Sequence, residues 1–288
     1  MGYKYTPSEK TGKYVAGFEY SGFYPILTSN VEYGERKYTL DKSENTVRAT
    51  ETKLSQGIRL PFNLTKGHFV RQLQLSTNNN FIALNPRPDT LKRILINAWD
   101  YNFSFANYTM TGAKDMYPRW AQTLSGTFAH TPFSGAQLGQ IAGAQLNLYF
   151  PGLFKHHSFF VTSSFQNRKA GTYAFSYLYT LARGYYDEAS NYESALKISG
   201  QYALPLLYPD LSLGSLFYIK RIRSTLFYDY AETYNNNSYY RSFGADIISD
   251  MHILRFIAPF ELGIRIIYKQ NENKYLFEPL FSISFDDI

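Results

Sequence analysis

Leu95-Ile96-Asn97-Ala98-Trp99-Asp100-Tyr101-Asn102-Phe103-Ser104-Phe105 decides the fold class. Leu95, Trp99, Tyr101, Phe103 and Phe105, with Asn97, occupy every second position, and Ala98, Asp100, Asn102 and Ser104 fall between them. A period of two places the two sets on opposite faces of a strand, whereas a helix would scatter them around its circumference. The pattern recurs. Trp120, Leu124 and Phe128 alternate with Ala121, Thr123, Ser125 and Thr127; Leu196, Ile198 and Tyr202 with Lys197, Ser199 and Gln201; Ile264 and Ile266 with Arg265. The smaller face is mostly Ser, Thr, Asn, Gln and Gly, as a hydrated interior requires. A soluble sandwich would instead turn its large residues into a core and carry many charges outside.

The 288 residues include 27 Tyr and 23 Phe, an aromatic share of 18%. Tyr joins an apolar ring to a polar tip and suits a boundary with one greasy and one wet side. Mean hydropathy is nevertheless −0.32. The longest apolar run, Ile253 to Ile267, is broken by Arg255, Pro259, Glu261 and Arg265, so no segment offers the ~18 uncharged apolar residues of a membrane helix. A transmembrane barrel reconciles these facts, because every second residue faces the lumen and is free to be polar. With no cysteine, disulfides and thiolate metal sites are excluded, in keeping with an exported bacterial protein. The formal charge of +6 is spread along the chain. Lys220-Arg221-Ile222-Arg223 has neither a helical face nor a stacking motif, so no nucleic-acid partner is expected.

The turns form two interleaved series. Pro25, Pro61, Pro151, Pro205 with Pro209, and Pro259 mark one; the longer polar stretches Glu35 to Asn45, Asn85 to Leu91, Asn167 to Ser190, Thr233 to Tyr239 and Asn271 to Lys274 mark the other. Barrels of this class have short periplasmic turns and longer external loops, which assigns the proline series to the periplasm. The predicted fold is all-β, a transmembrane antiparallel β-barrel with about 14 strands visible. That count takes Met1 to Thr6 as a partial strand and leaves Tyr173 to Leu181 in a loop although it alternates. Pro61-Phe62-Asn63 is read as a turn, and His156-His157 as the opening of a strand that sends the two rings to opposite faces. Residues 1–288 are read as one outer-membrane barrel domain, the C-terminal part of a longer chain, because Met1-Gly2-Tyr3-Lys4-Tyr5 lacks the apolar core of a signal peptide.

Between two alternating runs lies Leu181-Ala182-Arg183-Gly184-Tyr185-Tyr186-Asp187. Arg183-Gly184-Tyr185, then a strand ending Gln201-Tyr202-Ala203-Leu204-Pro205-Leu206, then Phe227-Tyr228-Asp229-Tyr230-Ala231, resembles the bacterial surface antigen family. That family includes the BamA-like outer-membrane insertases, the translocation and assembly module, and two-partner secretion pores. The resemblance implies a sixteen-stranded barrel, here truncated, whose external loop folds into the lumen. Its tip would form a latch of Arg183, Gly184 and Tyr185 against Phe227 and Asp229. Ala231 departs from the family's Gly, and Ala182 from its larger aliphatic residue. On physical grounds, a bidentate contact between Arg183 and Asp229, partly shielded from water, would hold the loop better than an exposed pair.

The expected role is outer-membrane protein assembly or protein translocation. The expected partners are outer-membrane lipid or lipopolysaccharide, unfolded outer-membrane or secreted proteins, and periplasmic proteins met through an upstream region. No catalytic residue, metal or cofactor is expected. Two alternatives remain: a passive or plugged pore or anchor, and a barrel-embedded lipid hydrolase using His252 near Asp250. Ser249 points to the other face from His252, out of reach of the base a nucleophile needs. Asn78-Asn79-Asn80 reads as a loop or strand-end polar run rather than a binding code, and Arg119 and Lys155, near strand ends, as interfacial anchors rather than a specific lipid site.

Overall fold

The computed structural model describes residues 1–6, 10–39, 46–87, 92–112, 114–133, 135–186, 192–214, 216–234, 237–253 and 259–283. Among them are β1 (Gly2–Thr6), β2 (Thr11–Tyr20), β3 (Ile26–Thr39), β4 (Thr46–Asn63), β5 (Phe69–Arg87), β6 (Ile94–Thr109), β7 (Ala121–His130) and β8 (Gln140–Pro151). Then follow β9 (Ser158–Lys169), β10 (Ser194–Leu207), β11 (Leu211–Leu213), β12 (Phe217–Thr233), β13 (Ser238–Ile253), β14 (Phe260–Lys269) and β15 (Lys274–Ile283). All belong to one antiparallel sheet in chain order, with the three-residue β11 paired only to β12. Setting β11 aside leaves a path of 14 strands, as expected from the alternation. Among the described residues β1 pairs only with β2, and β15 only with β14.

Each strand has an outer and an inner face. Tyr101, Phe128, Leu146, Phe165, Leu226, Phe243, Ile264 and Phe281 stand exposed on the outer face, where neighbours such as Tyr101 and Phe128 stack at 6.2 Å. The inner face of β10 to β14 instead buries Ser199, Gln201, Arg223, Asp229, Ser242, Asp246 and Asp250. A soluble protein would invert this arrangement; an outer wall bathed in lipid accounts for it. β7, β14 and β15 have 10 residues each, close to the ~9–11 needed to cross a bilayer. β4 and β5, with 18 and 19 residues, run well past that length.

Several turn assignments need correction. Glu35 to Thr39, read as the start of a polar loop, belong to β3 and pair with β4. β4 continues through Pro61 to Asn63, which pairs with Gln72, and the turn falls after it. β3 begins at Ile26, opposite Arg59, so beyond that point β4 is an edge strand and accepts a residue without an N–H. His156 and His157 do not open a strand either: β9 starts at Ser158, and His156 sits in the turn with φ 65°. Strand alternation therefore does not govern where those two rings point. Tyr173 to Leu181 forms no strand, in agreement with the sequence reading. Asp187 and Arg255, which entered that reading, lie outside the described residues.

Ile264, exposed on β14 and paired with Ile247 and Pro279, tests the outer face. Ile264→Arg is expected to lower stability in lipid vesicles by about 2–4 kcal/mol, measured by denaturant titration. Gln145→Arg, on the inner face of β8, is expected to cost much less. Equal losses would mean that the faces are misassigned.

Candidate functional site

The loop from β9 to β10 lies against the inner face, and its near arm is held by side chains instead of a ladder. Gln166 accepts the N–H groups of Leu178 (2.9 Å) and Tyr179 (3.1 Å) at Oε1. Its Nε2 donates to the Tyr179 carbonyl (2.6 Å) and the Tyr192 hydroxyl (2.7 Å). Arg168 donates to the Phe175 carbonyl at 3.1 Å and to the Tyr177 hydroxyl at 2.5 Å, with its guanidinium 3.8 Å from the Tyr177 ring centroid. Tyr177 in turn stacks on Tyr192 at 4.1 Å. These contacts explain why an alternating segment is not a strand: side chains of β9 satisfy its main-chain groups. Gly143 on β8 lets the arm approach, since a Cβ there would lie 2.7 Å from Leu178 Cδ1.

At the tip the chain turns through Gly184, whose φ of +86° favours glycine. A Cβ at Gly184 would also come within 3.3 Å of Ile267 and Lys269. The Arg183 main-chain N–H donates to Asp229 Oδ2 at 3.0 Å, and the Ser199 hydroxyl donates to Oδ1 at 2.5 Å. The bidentate contact expected between Arg183 and Asp229 is not formed. Arg183 Nε stands 3.7 Å from Asp229, an ion pair without a hydrogen bond. The guanidinium instead lies over Phe227 at 4.1 Å and donates to Gln201 Oε1 at 2.6 Å. Stacking fixes its plane, so the backbone, not the fork, meets the carboxylate.

The five predicted latch residues thus come together, with Tyr185 fully buried beside Lys269 and Tyr240. Its hydroxyl donates to the Arg241 carbonyl at 3.2 Å. The Tyr186 hydroxyl donates to Glu278 on β15 at 3.2 Å. One short tip therefore touches β10, β12, β13, β14 and β15. Gly244 makes room for Phe227, whose Cζ would be 2.7 Å from a Cβ at that position.

Sequence reasoning missed Ser199, Gln201 and Gln166. The first two share the polar phase of one strand and lie opposite Asp229 and Phe227, a signal that the register of β10 on β12 would have supplied. It also missed the true bidentate pair, Arg265 Nε to Asp246 Oδ1 (2.7 Å) and Nη2 to Oδ2 (2.9 Å). Asp250 is engaged by Arg221 and by Arg223 at 3.0 Å. The His252 ring lies 6.0 Å from that of Tyr218, and Ser249 pairs with Leu262 on the opposite phase.

Asp229→Ala removes the acceptor for both Ser199 and Arg183, at an expected cost of about 1–3 kcal/mol. The tip should loosen, so trypsin should cut after Arg183 in the folded variant while sparing the parent. Equal protection of both would show that Asp229 does not hold the tip.

No family model matches the chain, and no curated protein matches its sequence. Solved structures do match it in shape. One is BamA from Haemophilus ducreyi lacking POTRA domains 1-3, with a TM-score of 0.54 and 12% identity over 96% of this chain and 63% of that one. Another is CdiB from Escherichia coli, with a TM-score of 0.52 and 12% identity over 98% of this chain and 57% of that one. The chain spans less than two thirds of either protein. Its fold is that of the β-barrels of BamA and CdiB.

Proposed function

We propose that this barrel resides in the bacterial outer membrane and acts in the assembly of outer-membrane proteins or in protein translocation across that membrane. The observation that carries the reading is the docked tip, Arg183 on Phe227 with its N–H on Asp229, within a fold shared with BamA and CdiB. The proposed substrates are unfolded outer-membrane or secreted proteins. Among the described residues, the outward edges of β1 and β15 carry no strand partner, and such edges can template an incoming strand. In this reading the loop braces β10 to β15, so that strand exchange at the seam leaves that wall in register. The protein's own chemistry is non-covalent, and periplasmic partners would act through a region upstream of the chain.

The test uses the barrel reconstituted in lipid vesicles and a urea-unfolded outer-membrane substrate, with folding followed by heat-modifiable gel mobility. The barrel is expected to accelerate substrate folding several-fold, and Asp229→Ala to remove most of that gain. A barrel that conducts in planar bilayers but leaves substrate folding unchanged would be a passive pore, and the assembly reading would fail. Phospholipase activity lost in His252→Ala would instead identify a barrel hydrolase.

A further inference from the structure

The turns β6–β7 and β8–β9 enclose a cavity of about 280 Å³ whose lining includes Asp115, Arg119, Lys155, His156 and His157. The second turn is closed by the Gly152 N–H to the His157 carbonyl (3.0 Å) and the His157 N–H to the Phe154 carbonyl (3.1 Å). Its left-handed residue, His156, places Nδ1 2.7 Å from Asp115 Oδ1. That hydrogen bond holds the Asp115 carboxyl below the usual carboxylate range, and the Gly112 N–H adds to it at 3.3 Å. Asp115 is thus an ionised group whose oxygens are already engaged. Arg119 Nε stands 4.0 Å away with its side chain 60% exposed. Lys155 is exposed and pairs with no acid among the described residues. Two cations, Arg119 and Lys155, line the cavity with one satisfied carboxylate, which leaves it positive.

The surroundings set its depth. Trp120 is exposed on the outer face and packs edge-on against Phe150 at 5.6 Å. Leu153 and Phe154 protrude from the turn itself, 86% and 70% exposed. The Tyr202 hydroxyl, on the outer phase of β10, joins His157 Nδ1 at 2.9 Å and accepts the Leu153 N–H at 3.3 Å. Aromatic side chains collected at one end of a barrel wall mark the headgroup level of the bilayer. A guanidinium matches phosphate oxygens as a fork and an ammonium as a point charge.

We infer that this cavity binds the phosphate group of an anionic phospholipid, one with no headgroup cation to offset that charge, in the leaflet facing the proline-bearing turns, with the acyl chains running along Trp120 and Phe150. The inference rests on the membrane-barrel reading but is independent of any assembly activity, and an assay for bound lipid can succeed or fail while the folding assay stands. It gives the turn cluster a specific ligand where strand-end cations would otherwise be general anchors.

Trp120 and Trp99 are the chain's two tryptophans, so Trp99→Phe leaves Trp120 as the sole reporter. This protein is reconstituted in phosphatidylcholine vesicles containing phosphatidylglycerol, with bromine quencher on one lipid or the other. Phosphatidylglycerol is expected to be enriched at Trp120 over its bulk fraction, with about a fivefold loss of preference per cation removed. Arg119→Gln combined with Lys155→Gln should therefore bring the two lipids to parity, and both positions are exposed enough to leave folding intact. Equal quenching by both lipids in the parent, or a preference that survives the double substitution, would overturn the site. A parent that shows no preference between the two lipids yet binds inorganic phosphate, with that binding lost in the double substitution, would assign the cavity to free phosphate and overturn the lipid.

Discussion

The buried carboxylate of Asp229 constrains the whole C-terminal half. A charge without solvent is costly unless its oxygens are taken up by donors. β10 supplies one through Ser199, the residue directly opposite Asp229. The other must come from outside the sheet, and the Arg183 N–H provides it. The position of the loop tip follows from that need. Once Arg183 is seated over Phe227, Tyr185 and Tyr186 lie within reach of β13, β14 and β15.

The wall that receives the tip is itself tied across strands by charge. Arg265 clasps Asp246 from β14 to β13, and Arg223 links β12 to Asp250 on β13 and Glu261 on β14 at 2.6 Å. Phe227 has two guanidinium groups near its ring, Arg183 at 4.1 Å and Arg265 at 6.0 Å. The opposite half of the sheet relies mainly on amides. Asp100 receives Asn78 and Asn80 at 2.8 Å and Asn102 at 2.7 Å. Asn79 points the other way, to Asn97. Asn78 and Asn80 are thus cross-strand elements of the lumen face, while Asn79 lies on the outer phase with Asn97; the run sits inside β5 and not in a loop. Glu51, bound by Lys13 and Arg36, is the main charged brace on that side.

Alternation in Leu95 to Phe105 and its repeats determined the strands, their two faces, the meander and the path of 14, because a period of two is written in consecutive residues. The tip motif and its partner strand were legible as well, down to Phe227 and Asp229. Tertiary structure alone decided how they meet. The backbone of Arg183 takes the carboxylate because its guanidinium is held by Phe227 and Gln201, and Tyr173 to Leu181 stays out of the sheet where Gln166 takes up the amides of Leu178 and Tyr179. Likewise Arg119, Lys155 and His156 share one cavity only because two turns distant in the chain lie side by side. Periodicity is a local property that sequence carries by itself. The satisfaction of each buried polar atom depends on distances between strands, and those exist only after the sheet has formed.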